Sequence, residues 1–421
     1  MTCRTGAELH IPCESHDVMS AIPRYHPTEG PAVLSAGFRP FFLTAALWAA
    51  IAIPAWVVVF TGSAALPTAL SPPVWHVHEM VFGFGAAVVA GFLLTAIPNW
   101  TGRLPLQGGP LGGLVLLWLA GRVAVLLSGE IGASLASLLD LAFPLAFLAV
   151  VCREIIAGRN WRNLPIVTAL SLLLLANLLV HLEATGITTT AAAGNRLGVA
   201  TLVMLISFVG GRIIPSFTRN WLVKQRPAGR LPAPFGGFDR VALGVTAVAL
   251  AIWVVVPESA VAPWCDRAAG TALCVRLLRW QGIATWREPL LWALHLAYAW
   301  LCAGFLLLGL DAFVPWLPAT AALHALTAGA IGMATLAVMT RVTLGHTGRP
   351  LIAGPGTTTI YGLVTLAALL RLFAPLAGEQ YVLVLSLAGA AWTAAFGLFA
   401  VLYFVPLTRP RPRSGEEMRP I

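Results

Sequence analysis

The stretch W-H-V-H-E-M, Trp75 to Met80, opens an apolar run that closes at P-N-W-T-G-R, Pro98 to Arg103. Two histidines and a glutamate stand at the mouth of a hydrophobic span. Ionisable groups at such a position are costly unless something pairs with them or uses them. A second run, Leu323 to Arg349, repeats the plan, with His324 at its mouth and T-G-R at its exit. Aligning His78 with His324 also aligns Gly83 with Gly329 and Arg103 with Arg349.

Composition agrees with a membrane setting. The chain of 421 residues is 58% hydrophobic and 10% charged, where a soluble domain carries about 25% charged residues. Its net charge of +9 invites a nucleic-acid reading, which the distribution argues against, because the basic residues sit in alternate loops. The fold class expected is all-α and polytopic, with about twenty apolar residues per crossing. Twelve spans fit, at roughly 40–60, 77–98, 110–128, 132–152, 164–182, 196–217, 239–256, 260–277, 289–310, 319–341, 357–375 and 381–405. The eighth is the weakest, because Asp266 and Arg267 interrupt it.

Alternate loops test that parse. One set carries Arg103, Arg153, Arg219, Lys224, Arg279 and Arg349; the other carries Glu130, Glu183, Glu258, Asp311 and Glu379, with Arg196 its lone cation. The positive-inside rule then places both termini in the cytoplasm of an inner-membrane protein. Residues 1–32 are expected to form an irregular cytoplasmic tail, 33–408 the helical domain and 409–421 a basic tail. Cys3, His10, Cys13 and His16 crowd the first tail without a recognised metal spacing. The sixth span ends I-P-S-F-T (Ile214–Thr218), resembling I-P-N-W-T (Ile97–Thr101) in the second, and this register sets Asn195 opposite His78. Three units of four helices would explain it.

On this topology His76, His78, Glu79 and His324 lie near the outer face, while His295 and His346 lie toward the inner face. Imidazole suits haem iron, copper and zinc. Depth pairs His78 with His324 as a bis-histidine site. His76 lies about 200° from His78 around a helix, so it is a separate metal-ligand candidate. His295 and His346 are candidates for a second site. His181, one turn after Asn177, is a weaker one. Glu79 is the candidate proton acceptor, with a structural ion pair as the equal alternative. Arg122 and Arg371, at the depth of the outer histidines, could hold anionic cofactor groups or pair with Asp140 or Glu79.

Several motifs resemble the NnrS family of bacterial membrane proteins: G-F-R-P-F-F (Gly37–Phe42), W-H-V-H-E-M, G-F-L-L-T-A-I-P-N-W-T-G-R (Gly91–Arg103), L-H-L-A-Y-A-W (Leu294–Trp300), and His324 to Arg349. The resemblance implies a twelve-helix inner-membrane protein containing haem, of b type, and copper, linked to nitric oxide metabolism, denitrification and relief of nitrosative stress. It leaves the ligands unassigned. Depth gives His78 and His324 to haem and His76 to copper. A redox enzyme acting on nitric oxide would draw electrons from quinol or a protein donor. Two other classes stay open: a transporter using the same histidines and glutamate for substrate or protons, and a haem-based sensor.

Overall fold

The computed structural model describes residues 30–225, 229–412 and 420–421. The cysteine- and histidine-bearing tail and most of the basic tail lie outside them. The described residues are helical, with no strand. Among the described residues, eleven helices are long and apolar enough to cross a membrane: Phe38–Phe60, Pro72–Thr101, Gly108–Leu126, Ala133–Ala157, Trp161–Ala184, Ala191–Gln225, Gly237–Val255, Pro289–Asp311, Ala319–His346, Pro355–Leu376 and Gly378–Thr408.

The remaining expected span is the helix Ala262–Leu278, which is shorter and more charged. Its contacts show how it lies. Near its end, Arg276 Nε donates to Asp239 Oδ1 at the start of Gly237–Val255, 2.9 Å away. Near its beginning, the Pro263 carbonyl lies 2.7 Å from where a Cβ on Gly309 would sit, at the end of Pro289–Asp311. It therefore runs antiparallel to both neighbours over the same thickness. Its cations lie toward the two ends: Arg267 stacks over Phe313 at 3.9 Å, and Arg276 is paired with Asp239. Counted in chain order with the eleven, it takes the eighth place, and the spans are numbered accordingly.

The centre of the bundle is not shared equally. In the second span 78% of the most apolar stretch is buried, and in the ninth, tenth and sixth 67%, 61% and 56%; the seventh has only 28%. The second, sixth, ninth and tenth spans thus form the interior, and the others face outward with leucine and valine. The sixth has 35 residues, about 52 Å at 1.5 Å per residue, against a hydrocarbon core of about 30 Å. It must project well beyond the core.

The repeat read from His78 and His324 has a structural counterpart. One residue after each histidine the helix widens to a π-helix, over Glu79–Gly85 and over Ala325–Ile331. Each segment has seven residues and contains the aligned glycine, Gly83 or Gly329. Such segments are rare and concentrate at functional sites. The sixth span is α-helical throughout.

Cysteines replacing Glu258 and Arg287, on either side of the eighth span, should react with a membrane-impermeant thiol reagent from opposite faces in an otherwise cysteine-free protein. Labelling of both from one face would show that this helix does not cross.

Candidate functional site

Two histidine pockets occupy the same end of the bundle. The first surrounds His78. Gly83 lacks a side chain where a Cβ would meet Glu79 Oε2 and Trp48 Nε1 at 2.8 Å and Arg122 Nη1 at 2.9 Å. That notch admits a cluster of charges. Arg122 Nη1 donates to Glu79 Oε2 at 2.6 Å, and its Nη2 donates to Asp140 Oδ1. Asp140 sits against Gly121, whose Cβ would meet Asp140 Oδ1 at 2.7 Å. Trp48 Nε1 adds a donor to Glu79 at 2.8 Å, and Trp118 Nε1 donates to the Gly83 carbonyl inside the π segment at 3.0 Å.

Both ring nitrogens of His78 meet acceptors. Nδ1 is 3.1 Å from Glu79 Oε1, and Nε2 is 2.9 Å from Asn177 Oδ1. The amide orientation follows from its other end, where Asn177 Nδ2 donates to Asp140 Oδ2 at 2.7 Å. His181 Nε2 lies 2.9 Å from the same carboxylate oxygen. A His78 with a proton on each nitrogen satisfies this geometry, and its charge together with Arg122 balances Glu79 and Asp140. Every carboxylate oxygen then has a donor, while Arg122 Nε is left without a partner.

His78, Asp140 and His181 are all buried and offer ligand atoms within 4.8 Å of one another, so this group could hold a metal ion. A metal would have to displace protons from the imidazole nitrogens, because ligands bind through lone pairs.

The second pocket is a cavity of about 190 Å³ between the first, second, sixth, seventh, tenth, eleventh and twelfth spans. His76, His324, Arg371, Asn195 and Trp56 line it, all near the same end of their spans; Phe84, Leu202, Ile331 and Trp392 continue it toward the middle. Four of its polar atoms are buried without a partner: Trp56 Nε1, His76 Nδ1, Asn195 Oδ1 and Arg371 Nη1. His76 is held by the Trp56 ring, with centroids 4.4 Å apart. His324 Nδ1 donates to the Thr320 carbonyl at 2.6 Å. This fixes the tautomer and leaves Nε2 with a free lone pair, the usual way a ligand histidine is oriented.

The structure therefore does not bring His78 and His324 together. His78 faces its own third to fifth spans, and the imidazole sharing a cavity with His324 is His76. Glu79 and Arg122 are engaged with each other away from that cavity, whereas Arg371 faces into it. His295 and His346 are also apart. His295 is buried, with Nε2 2.9 Å from Thr218 Oγ1, and Gly282 closes over its Nδ1. His346 is exposed and lies against Phe38 at 5.8 Å. Asn177 and Asp140 were visible in the sequence as polar residues within spans. Trp56 carried no signal that set it apart from fourteen other tryptophans.

If the cluster is a balanced ion network, Asp140→Leu or Arg122→Met alone should destabilise the protein by about 3–5 kcal/mol, since each leaves an unpaired buried charge. The double variant should lose less than either single one. Thermal unfolding in detergent measures both, and a double loss equal to the sum of the singles would contradict the pairing.

The chain belongs to the NnrS family, whose model, described as NnrS protein, matches residues 32–411. No curated protein matches the chain.

Proposed function

We propose that this NnrS-family membrane protein binds a redox metal cofactor, haem or copper, in the cavity lined by His76 and His324, and that it acts in nitric oxide metabolism. The observation that carries this reading is the set of four partnerless buried polar atoms around two imidazoles. Buried polar groups left unpaired are rare in a finished protein, and each one calls for a partner. Imidazole nitrogens suit iron and copper. Arg371 suits an anionic substituent, through charge-assisted hydrogen bonds.

The donor set fits such a group, and the space of about 190 Å³ suits copper with small ligands, whereas a haem requires the surrounding spans to part. His324 would ligate through Nε2, since Nδ1 is committed to Thr320. His76, stacked in place by Trp56, would ligate through a ring nitrogen. Bound there, haem or copper would supply nitric oxide binding and electron transfer. The chain's own contribution is orientation, a cation at the rim and an apolar wall that excludes water. Glu79 holds Arg122 in place rather than moving protons in this cavity. We further read the histidine end as the outer face of the inner membrane, with both termini cytoplasmic, following the basic loops. Turnover would require quinol or a protein electron donor.

The transporter reading loses support from one observation. Its proton-coupling glutamate, Glu79, is tied to Arg122 and His78 and does not line the cavity. A sensor would use the same cavity and differs only in lacking turnover.

Purified protein should contain haem or copper by elemental analysis and optical spectroscopy. His76→Ala and His324→Ala should each lose most of one metal signal, Arg371→Gln should weaken it, and the folded state should persist. Full metal content in both histidine variants would overturn the assignment. Selective loss in His181→Ala would move the metal to the His78–Asp140–His181 group. Nitric oxide consumption with an added electron donor separates catalyst from sensor.

A further inference from the structure

A second cavity, of about 110 Å³, lies between the second, sixth, ninth and tenth spans. It adjoins the histidine cavity: Leu202 and Ile331 line both. These two side chains stand at the ends of the two π segments. Ile331 is the last residue of one. Leu202 packs into the gap left by Gly85, the last residue of the other, where a Cβ would meet Leu202 Cδ1 at 2.8 Å. The side chains at the ends of the wide helical turns thus lie where an upper, polar-ended compartment adjoins a lower one.

The lower compartment has no hydrogen-bonding group to spare. Val88, Val209 and Ala297 are typical of its wall, and its hydroxyls belong to Tyr298 and Thr335. Thr335 Oγ1 donates to the Gly332 carbonyl at 2.8 Å. The Tyr298 hydroxyl accepts from Arg276 Nη1 at 3.0 Å and lies 3.5 Å from Ser207 Oγ. A buried water needs two to four polar partners, and an apolar cavity of about 150 Å³ stays dry and takes up benzene or xenon. At about 110 Å³ the present cavity is too small for most organic metabolites and large enough for a molecule of a few atoms.

We propose that this compartment is a dry binding site for a small uncharged molecule of the dissolved-gas class, placed to pass it to the histidine cavity through the Leu202–Ile331 neck. The role in passage rests on the reading of the histidine cavity as the reactive site. The binding itself does not.

The full chain in detergent, without added cofactor, would be studied under xenon pressure by diffraction. One xenon is expected beside Ala297 and Tyr298. Ala297→Phe and, as an independent filling, Ala334→Leu should remove it while leaving the melting temperature near that of the parent. In Leu202→Ala the xenon should spread into the histidine cavity. An ordered water in place of xenon, or xenon undisturbed by both filling variants, overturns the site. Xenon confined to the lower compartment in Leu202→Ala overturns the passage. Because no metal is needed, a xenon site can stand even if the metal assignment above fails.

Discussion

A guanidinium inside a hydrocarbon slab must be neutralised where it stands, and much of this architecture follows from the way Arg122 is treated. Its two carboxylate partners come from different spans, Glu79 from the second and Asp140 from the fourth. Each approach needs a missing side chain, Gly83 for one and Gly121 for the other. His78, Asn177 and His181 then complete the acceptors and donors. The network ties the second to fifth spans together by directed bonds, in a medium where apolar surface gives helices little reason to associate. Its worth is mainly in specificity, because a buried ion pair roughly breaks even against well-packed hydrocarbon.

The pocket around His324 shares the imidazole, the following π segment and an arginine from the next span, but no carboxylate lines it. Glu79 has Ala325 as its counterpart in the aligned register. What the protein's own acids do for Arg122, something else must do for Arg371. The contrast is between a pocket whose carboxylates and cation answer one another and a pocket with four polar atoms unanswered.

The sequence made the helical plan readable because apolar length and alternating loop charge are both one-dimensional signals. The eighth span was hard to read for the same reason: Arg267 and Arg276 dilute its hydropathy, and only their neighbours, Phe313 and Asp239, show that each is accommodated. The depth of the histidines was readable, but their direction was not. A repeat aligns His78 with His324, yet His78 faces the third to fifth spans and His324 faces a separate cavity that it shares with His76. His76 reaches the other pocket because it points away from His78, a consequence of helical phase that the sequence already contained. The repeat set Asn195 opposite His78 without assigning it to a site, and Trp56 depended on packing across spans distant in the chain.

The π segments also carry a historical implication. A π turn is a one-residue excess within an α-helix, so removing one residue from Glu79–Gly85 would restore α geometry. Because the wider turn absorbs the extra residue locally, the helix on either side would keep its facing. His76 would still point to its cavity from one half. What would be lost is the local opening at Gly83 that admits Glu79, Trp48 and Arg122. Each segment, Ala325–Ile331 included, thus reads as one residue gained within a span whose two halves already faced their present neighbours.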